Sequence, residues 1–149
     1  MLGYDFRYPH LLPIDAEVWR CHHLTIGRKY EQLDYDVRVG QGRDPGKEFS
    51  RKIRDMAYAL SCRRIDVVGH LTTGLDVIEV THSAGFKALG QLIAYPILYS
   101  QTYPTSQAIR PILVAGEIQT DILPVLERLG ILYFVYPPPY ITSEQRPES

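Results

Sequence analysis

The stretch 63–81, RRIDVVGHLTTGLDVIEVT, constrains the fold more than any other part of the chain. Two apolar runs of strand length flank Thr-Thr-Gly, the pattern of an antiparallel hairpin with a tight turn. Each arm nevertheless carries an acid among apolar neighbours, Asp66 in RIDVV and Glu79 in VIEVT. A carboxylate in an apolar strand is costly unless it pairs, ligates a metal or reaches solvent. Side chains two apart share a strand face, so Leu75, Val77, Glu79 and Thr81 point one way and Asp76, Ile78 and Val80 the other. Coming from neighbouring strands, Asp66 and Glu79 can converge. Two convergent acids suit Mg²⁺, with water and a phosphate oxygen completing its shell.

The flanking segments place this hairpin in an α/β domain. The first sixteen residues, with Pro9 and Pro13, read as an irregular arm, and EVWRCHHLTI and LDYDVRVG read as strands. GQGRDPG is a strong breaker. After it, KEFSRKIRDMAYALS has Phe49, Ile53, Met56, Ala57 and Leu60 at helical spacing. SAGFKALGQLIAYPILYS is predicted to be a helix capped by Ser83 and kinked or ended by Pro96. RPILVAGEI reads as an interior strand, TDILPVLERLG as a short helix closed by Gly130, and ILYFVY as a further buried strand. The order from residue 47 predicts a mixed sheet flanked by helices in one domain. That domain comprises an N-terminal arm with a β extension (1–46), a core (47–136) and an extended Pro-rich tail (137–149).

Composition sets outer limits. At 149 residues, 45% hydrophobic and 22% charged, the chain has the make-up of one globular domain with a real core. It has neither an 18-residue apolar run nor a signal-peptide pattern at its start, so a cytoplasmic or virion location is expected. Cys21 and Cys62 are expected to be free thiols. The net charge is −1, yet residues 1–64 carry +3 and residues 65–149 carry −4. Lys47, Arg51, Lys52, Arg54, Arg63 and Arg64 cluster in 47–64. Such a patch can face phosphates, or it can be a solvated helix face.

Three familiar chemistries fit poorly. A phosphate loop would need glycine where Gln41 stands and Ser or Thr where Glu48 follows Gly46-Lys47. Cys21, His22 and His23 are adjacent, so on a strand they alternate faces and cannot share one zinc ion. THSAG imitates a nucleophile elbow, but Thr81 replaces its first glycine and no histidine follows His82 to act as the base.

Segment 63–99 resembles the core of the PD-(D/E)XK nuclease superfamily, the restriction-endonuclease-like fold. That core has an Asp in one hairpin strand, Glu-x-Lys in the next, and a helix often carrying Gln before Tyr. The resemblance implies Asp66 and Glu79 as catalytic, metal-binding residues for Mg²⁺. It also matches Gln91 and Tyr95 to the helix signature, and Glu48 to an accessory acid that some members carry. The family lysine is replaced by Thr81, which is short and neutral. Some members recruit the lysine from the following helix, and Lys87, one turn before Gln91, is available for that role. With Thr81 in the motif, the expectation is a catalytically degenerate nuclease-like domain serving as a subunit of a larger assembly. A phage head-completion, neck or tail component is the leading case, with other subunits and possibly DNA as partners. The alternative is an active Mg²⁺-dependent DNA endonuclease using Asp66, Glu79 and Lys87. A third is a binding module contacting nucleic acid through Lys47, Arg51, Arg54, Arg63 and Arg64, or contacting protein. The Pro137–Tyr140 run is expected to strap onto a neighbouring subunit.

Overall fold

The computed structural model describes residues 11–26 and 29–140. Its elements run α1 (Pro13–Ile26), β1 (Gln32–Val39), α2 (Arg51–Ser61), β2 (Arg63–Leu71), β3 (Gly74–Ala84), α3 (Phe86–Thr102), β4 (Ala108–Ile118), α4 (Leu123–Leu129) and β5 (Leu132–Val135). The five strands form one sheet in sequence order. β1, β2 and β3 pair antiparallel, whereas β3–β4 and β4–β5 pair parallel. The parallel steps need crossovers, and α3 and α4 supply them. The expected mixed sheet flanked by helices is therefore present.

The hairpin is tighter than Thr-Thr-Gly suggests, because Gly74 already pairs with Leu71. Gly74 cannot be anything larger: a Cβ there would stand 2.6 Å from the backbone oxygen of Ala108 on β4. β1 contains one irregularity, Asp36 at φ 56°, where the β1–β2 register skips from Tyr35↔Val67 to Val37↔Ile65. The register is the same on both sides of the gap, so one residue of each strand, Asp36 and Asp66, drops out of the ladder without an insertion.

One core fills each sheet face. On the first, Ala16, Val18 and Trp19 of α1 meet Val67, Ile78, Val80, Ile112 and Val114. On the other, α3 and α4 cover the sheet, with Leu89, Leu92 and Leu126 against Leu113 and Ala115 and with Tyr95 and Tyr99 beside Val68 and Val77.

Four expectations need correction. The N-terminal β extension does not exist over residues 17–26, which are helical. Pro13 is preorganised for the first helical turn. Asp15, Val18, Trp19 and His22 then recur at helical spacing and are the buried face. His22 is accordingly a core residue: its Nδ1 lies 2.7 Å from the Tyr136 hydroxyl, and burial lowers its pKa to about 4. Ser83 is not a cap but a β3 residue, with Gly85 at the N-cap of α3. Of the two outcomes expected at Pro96, an end to α3 is corrected: the helix continues to Thr102, although the Leu92 carbonyl loses its helical donor. β5 is half-exposed rather than buried, being the last strand of the sheet. In the tail, Tyr140 turns back to donate to the Tyr136 carbonyl (2.7 Å) and packs on its own α1-side core. The rest of the proposed strap, 141–149, lies outside the described residues. Cys21 and Cys62 are both free.

The helical assignment of α1 is directly testable. Trp19→Ala should cost about 3–5 kcal/mol in urea unfolding, as for a fully buried large aromatic. Leu24→Ala, on the exposed side of the same helix, should stay within about 0.5 kcal/mol.

Candidate functional site

The register Val67↔Ile78 sets Asp66 and Glu79 opposite each other one step further along the hairpin. Their side chains hydrogen-bond to one another. Two carboxylates can do this only by sharing a proton. Asp66 Oδ2 also accepts from the Val80 backbone N–H at 2.9 Å. Burial pushes the Asp66 pKa up to about 6, and burial together with the Asp66 charge holds Glu79 well above the ordinary carboxylate range. The pair as a unit therefore holds a proton more tightly than free carboxylates do. Glu79 Oε1 is buried and has no hydrogen-bond partner.

Around this pair lies a cleft of about 220 Å³, lined by Asp15, Asp66, Glu79, Thr81, Lys87 and Gln91 among others. It opens where β3 gives way to α3, with α1 contributing one wall. Of the sequence-based candidates, Asp66, Glu79, Lys87 and Gln91 meet here. Lys87 and Gln91 are one helical turn apart and so share a face of α3. Gln91 Nε2 donates to the Tyr95 hydroxyl at 3.3 Å, which ties its amide to the helix.

Asp15 was missed, because the N-terminal segment reads as an irregular arm; its i, i+3, i+4, i+7 relation to Val18, Trp19 and His22 was the available signal. Asp15 is well ordered in its surroundings: one Oδ1 accepts from the His82 backbone N–H at 2.7 Å and lies 2.8 Å from His82 Nδ1. Glu48, the expected accessory acid, is elsewhere. It sits ahead of α2 with its carboxylate close over Gly46, and it does not line the cleft.

The basic candidates do not line the cleft either. Arg54 is clamped by Asp44, with Nε 3.0 Å from Oδ1 and a second bond from Nη2 to Oδ2. Arg51 lies 3.8 Å from Asp55, and Arg64 Nε lies 3.6 Å from Asp36. Arg51 and Arg54 border a separate depression with Asp44, Asp55 and Tyr58, so acids offset their charge. Lys47 and Arg63 are exposed.

Among the described residues, no three His, Cys, Asp or Glu side chains are already gathered as a metal cluster. The donor set nevertheless fits a hard divalent cation. Two facing carboxylates and a buried Oε1 without a partner offer oxygen ligands, and Mg²⁺ characteristically takes one or two carboxylates and keeps several waters. A cation would take over the role now filled by the shared proton.

No family model and no curated protein matches the chain. In structure the chain is similar to a solved EndoMS–dsDNA complex at 17% identity and a TM-score of 0.48, over 87% of this chain. It spans about half (47%) of that solved chain.

The shared proton has a measurable consequence. Both acids bind protons more tightly folded than unfolded. The contribution of Asp66 is therefore fully present below its ordinary value of 3.8 and is lost as pH rises through about 6, and that of Glu79 is lost at pH well above its ordinary 4.5. In chelator, Glu79→Gln should flatten this decline and raise the melting temperature at alkaline pH, read by circular dichroism. An unchanged pH profile would show that the pair is not coupled.

Proposed function

We propose that the chain is a Mg²⁺-dependent nuclease that hydrolyses phosphodiester bonds in DNA at the Asp66–Glu79 cleft. The observation that carries this reading is the placement of Lys87. Lys87 of α3 lines the same cleft as the two acids and Thr81, the residue standing where the resembled family has its lysine. The role vacated at position 81 thus has a candidate from the neighbouring helix.

In this reading Asp66 and Glu79 hold the cation. When bound, it would supply Lewis-acid polarisation of a phosphoryl oxygen and acidify water. The remaining tasks fall to the chain itself. Lys87 donates a hydrogen bond to the attacking water and offsets the negative charge that grows on the phosphorus oxygens, a stabilisation worth most in a water-poor cleft. Gln91, steadied by Tyr95, presents its amide beside Lys87 and orients the phosphate. Asp15, fixed by the His82 backbone N–H, adds a third carboxylate at the rim that can accept a proton from water. Deprotonation of Glu79 is a precondition for cation binding, so activity should rise with pH as the shared proton leaves.

A second reading has one observation in its favour. Thr81 can neither donate a fixed positive charge nor reach a phosphate as lysine does. A domain that had lost catalysis and served as an assembly subunit, for instance in a phage particle, would tolerate that replacement.

Cleavage of supercoiled plasmid, single-stranded and branched DNA in Mg²⁺ or Mn²⁺ separates the two. The nuclease reading expects metal-dependent nicking that Asp66→Ala and Glu79→Ala abolish. Lys87→Ala should reduce it by about 10²–10³-fold, the usual loss for one transition-state donor, and Lys87→Arg should recover part of it. Full activity in Lys87→Ala would remove that residue from the mechanism. No cleavage of any of the three substrates would favour the assembly subunit.

A further inference from the structure

α2 is assembled inside out. Its polar side faces its own chain, where Arg54 binds Asp44 and the Ser61 hydroxyl accepts from the Arg43 backbone N–H. Its apolar side, Ile53, Met56 and Leu60 with Phe49 just ahead of the Ser50 cap, faces solvent, and α2 has no buried residue at all. An isolated helix of this length is marginal in water, so such a stripe calls for cover.

α3 carries a second stripe of the same kind. Its inner face packs on the sheet through Leu89, Leu92, Tyr95 and Tyr99, and Lys87 and Gln91 line the cleft. The outer face presents Phe86, Gly90, Ile93 and Ile97, with Phe86 64% and Ile97 57% exposed. A helix that is apolar nearly all round belongs in an interior.

The two stripes match in three respects. Residues 49, 53, 56 and 60 and residues 86, 90, 93 and 97 follow one spacing, i, i+4, i+7, i+11, the d-a-d-a step of a coiled-coil seam; on α3 it runs about 16 Å, and on α2 its helical part is Ile53 to Leu60, with Phe49 ahead of the Ser50 cap. They are complementary in size: the α2 stripe is all large, whereas the α3 stripe has an open site at Gly90, where an added Cβ would meet nothing within 4 Å. Pairing α2 with α2 would press large on large. They are also compatible in charge, since α3 carries no charged residue except Lys87, which lines the cleft, and so puts no like charge against Arg51 and Lys52. Within one chain both stripes stay exposed.

We infer that α2 and the outer face of α3 form a dimer interface, α2 of each protomer packing on α3 of a second copy of this chain. A twofold arrangement satisfies both stripes on both protomers and closes on itself. From the exposed fractions, the two stripes together offer roughly 800 Å² of surface per protomer, the per-partner size of a standard stable interface.

Light scattering at tens of micromolar reads this directly, expecting twice the 17.1 kDa chain mass. Met56→Glu and Ile93→Glu should each weaken the dimer by about 100-fold, since each buries a charge in the seam. Both should keep the circular dichroism of the parent, and Leu24→Glu on α1 should leave the dimer intact. With Cys21 and Cys62 replaced by serine, chains carrying Met56→Cys should form disulfides with chains carrying Ile93→Cys. Preferential like-with-like disulfides would overturn the α2–α3 pairing. A monomer at this concentration, a larger assembly, or a dimer indifferent to both Glu variants would overturn the interface. So would a monomer that binds phosphatidylserine vesicles and loses that binding in Met56→Glu, which would make the stripe a membrane-facing surface. None of these readouts depends on cleavage activity.

Discussion

The buried Glu79 facing the half-buried Asp66 across β2 and β3 is the constraint around which the rest of this protein is arranged. Burial makes ionisation harder for both, and the groups that could offset it are incomplete. Val80 N–H satisfies one oxygen of Asp66, the shared proton satisfies the pair, and Glu79 Oε1 is left over. An unpaired buried acceptor costs on the order of 1–3 kcal/mol. That cost, at the junction of a strand and a helix and beside Lys87, is what the proposed cation site would relieve.

The same strand shows how a purely structural acid looks. Asp76 is buried like Glu79, yet every oxygen of its carboxylate is answered. Arg110 grips it with two bonds of 2.9 and 3.0 Å, the Tyr30 hydroxyl donates at 2.6 Å, and Lys29 lies 3.8 Å away. Burial and the bond to Asp76 drive the Tyr30 pKa upward, so its proton stays in place to donate. This cluster locks β4 and the segment before β1 to the hairpin end of β3. Glu79, three residues on, sits opposite another acid. The contrast between a saturated and a starved carboxylate distinguishes scaffold from site within 11 residues of β3.

Much of this was legible in the sequence. Asp66 and Glu79 stood out because strand periodicity makes a lone acid conspicuous, and the hairpin turn fixed their approach. Gln91 and Lys87 came from the resemblance to the nuclease superfamily, and helical spacing placed the two on one face. Asp15 did not, because its helix begins at a proline after a Pro-rich approach and carries histidines and a cysteine that suggest a strand. Only the burial of Val18, Trp19 and His22 against the sheet decides the matter. Ser83 failed for a similar reason: continued pairing with Glu117 on β4 held it in β3, and tertiary pairing overrode its capping preference. The basic patch was visible as composition, but the pairing of Arg54, Arg51 and Arg64 with Asp44, Asp55 and Asp36 depends on contacts that no linear pattern reveals.

α3 ties these themes together, since three of its faces have different obligations. The inner face is bound to the sheet by Leu89, Leu92, Tyr95 and Tyr99, and the cleft face holds Lys87 and Gln91 near the acids. The outer face carries Phe86 and Ile93, each next to or within two residues of a cleft residue. A side chain as flexible as lysine gains little from a helix that can rock on its sheet, because a productive ammonium position must hold to within a fraction of an ångström. The break in helical hydrogen bonding at Pro96 makes such rocking easier on the C-terminal side. A second copy seated on Phe86, Gly90, Ile93 and Ile97 would brace the helix on both sides of that break. In the proposed dimer, the surface that joins the protomers and Lys87, the lysine of the proposed mechanism, are parts of one helix, and packing on the outer face is what would hold Lys87 beside the acids.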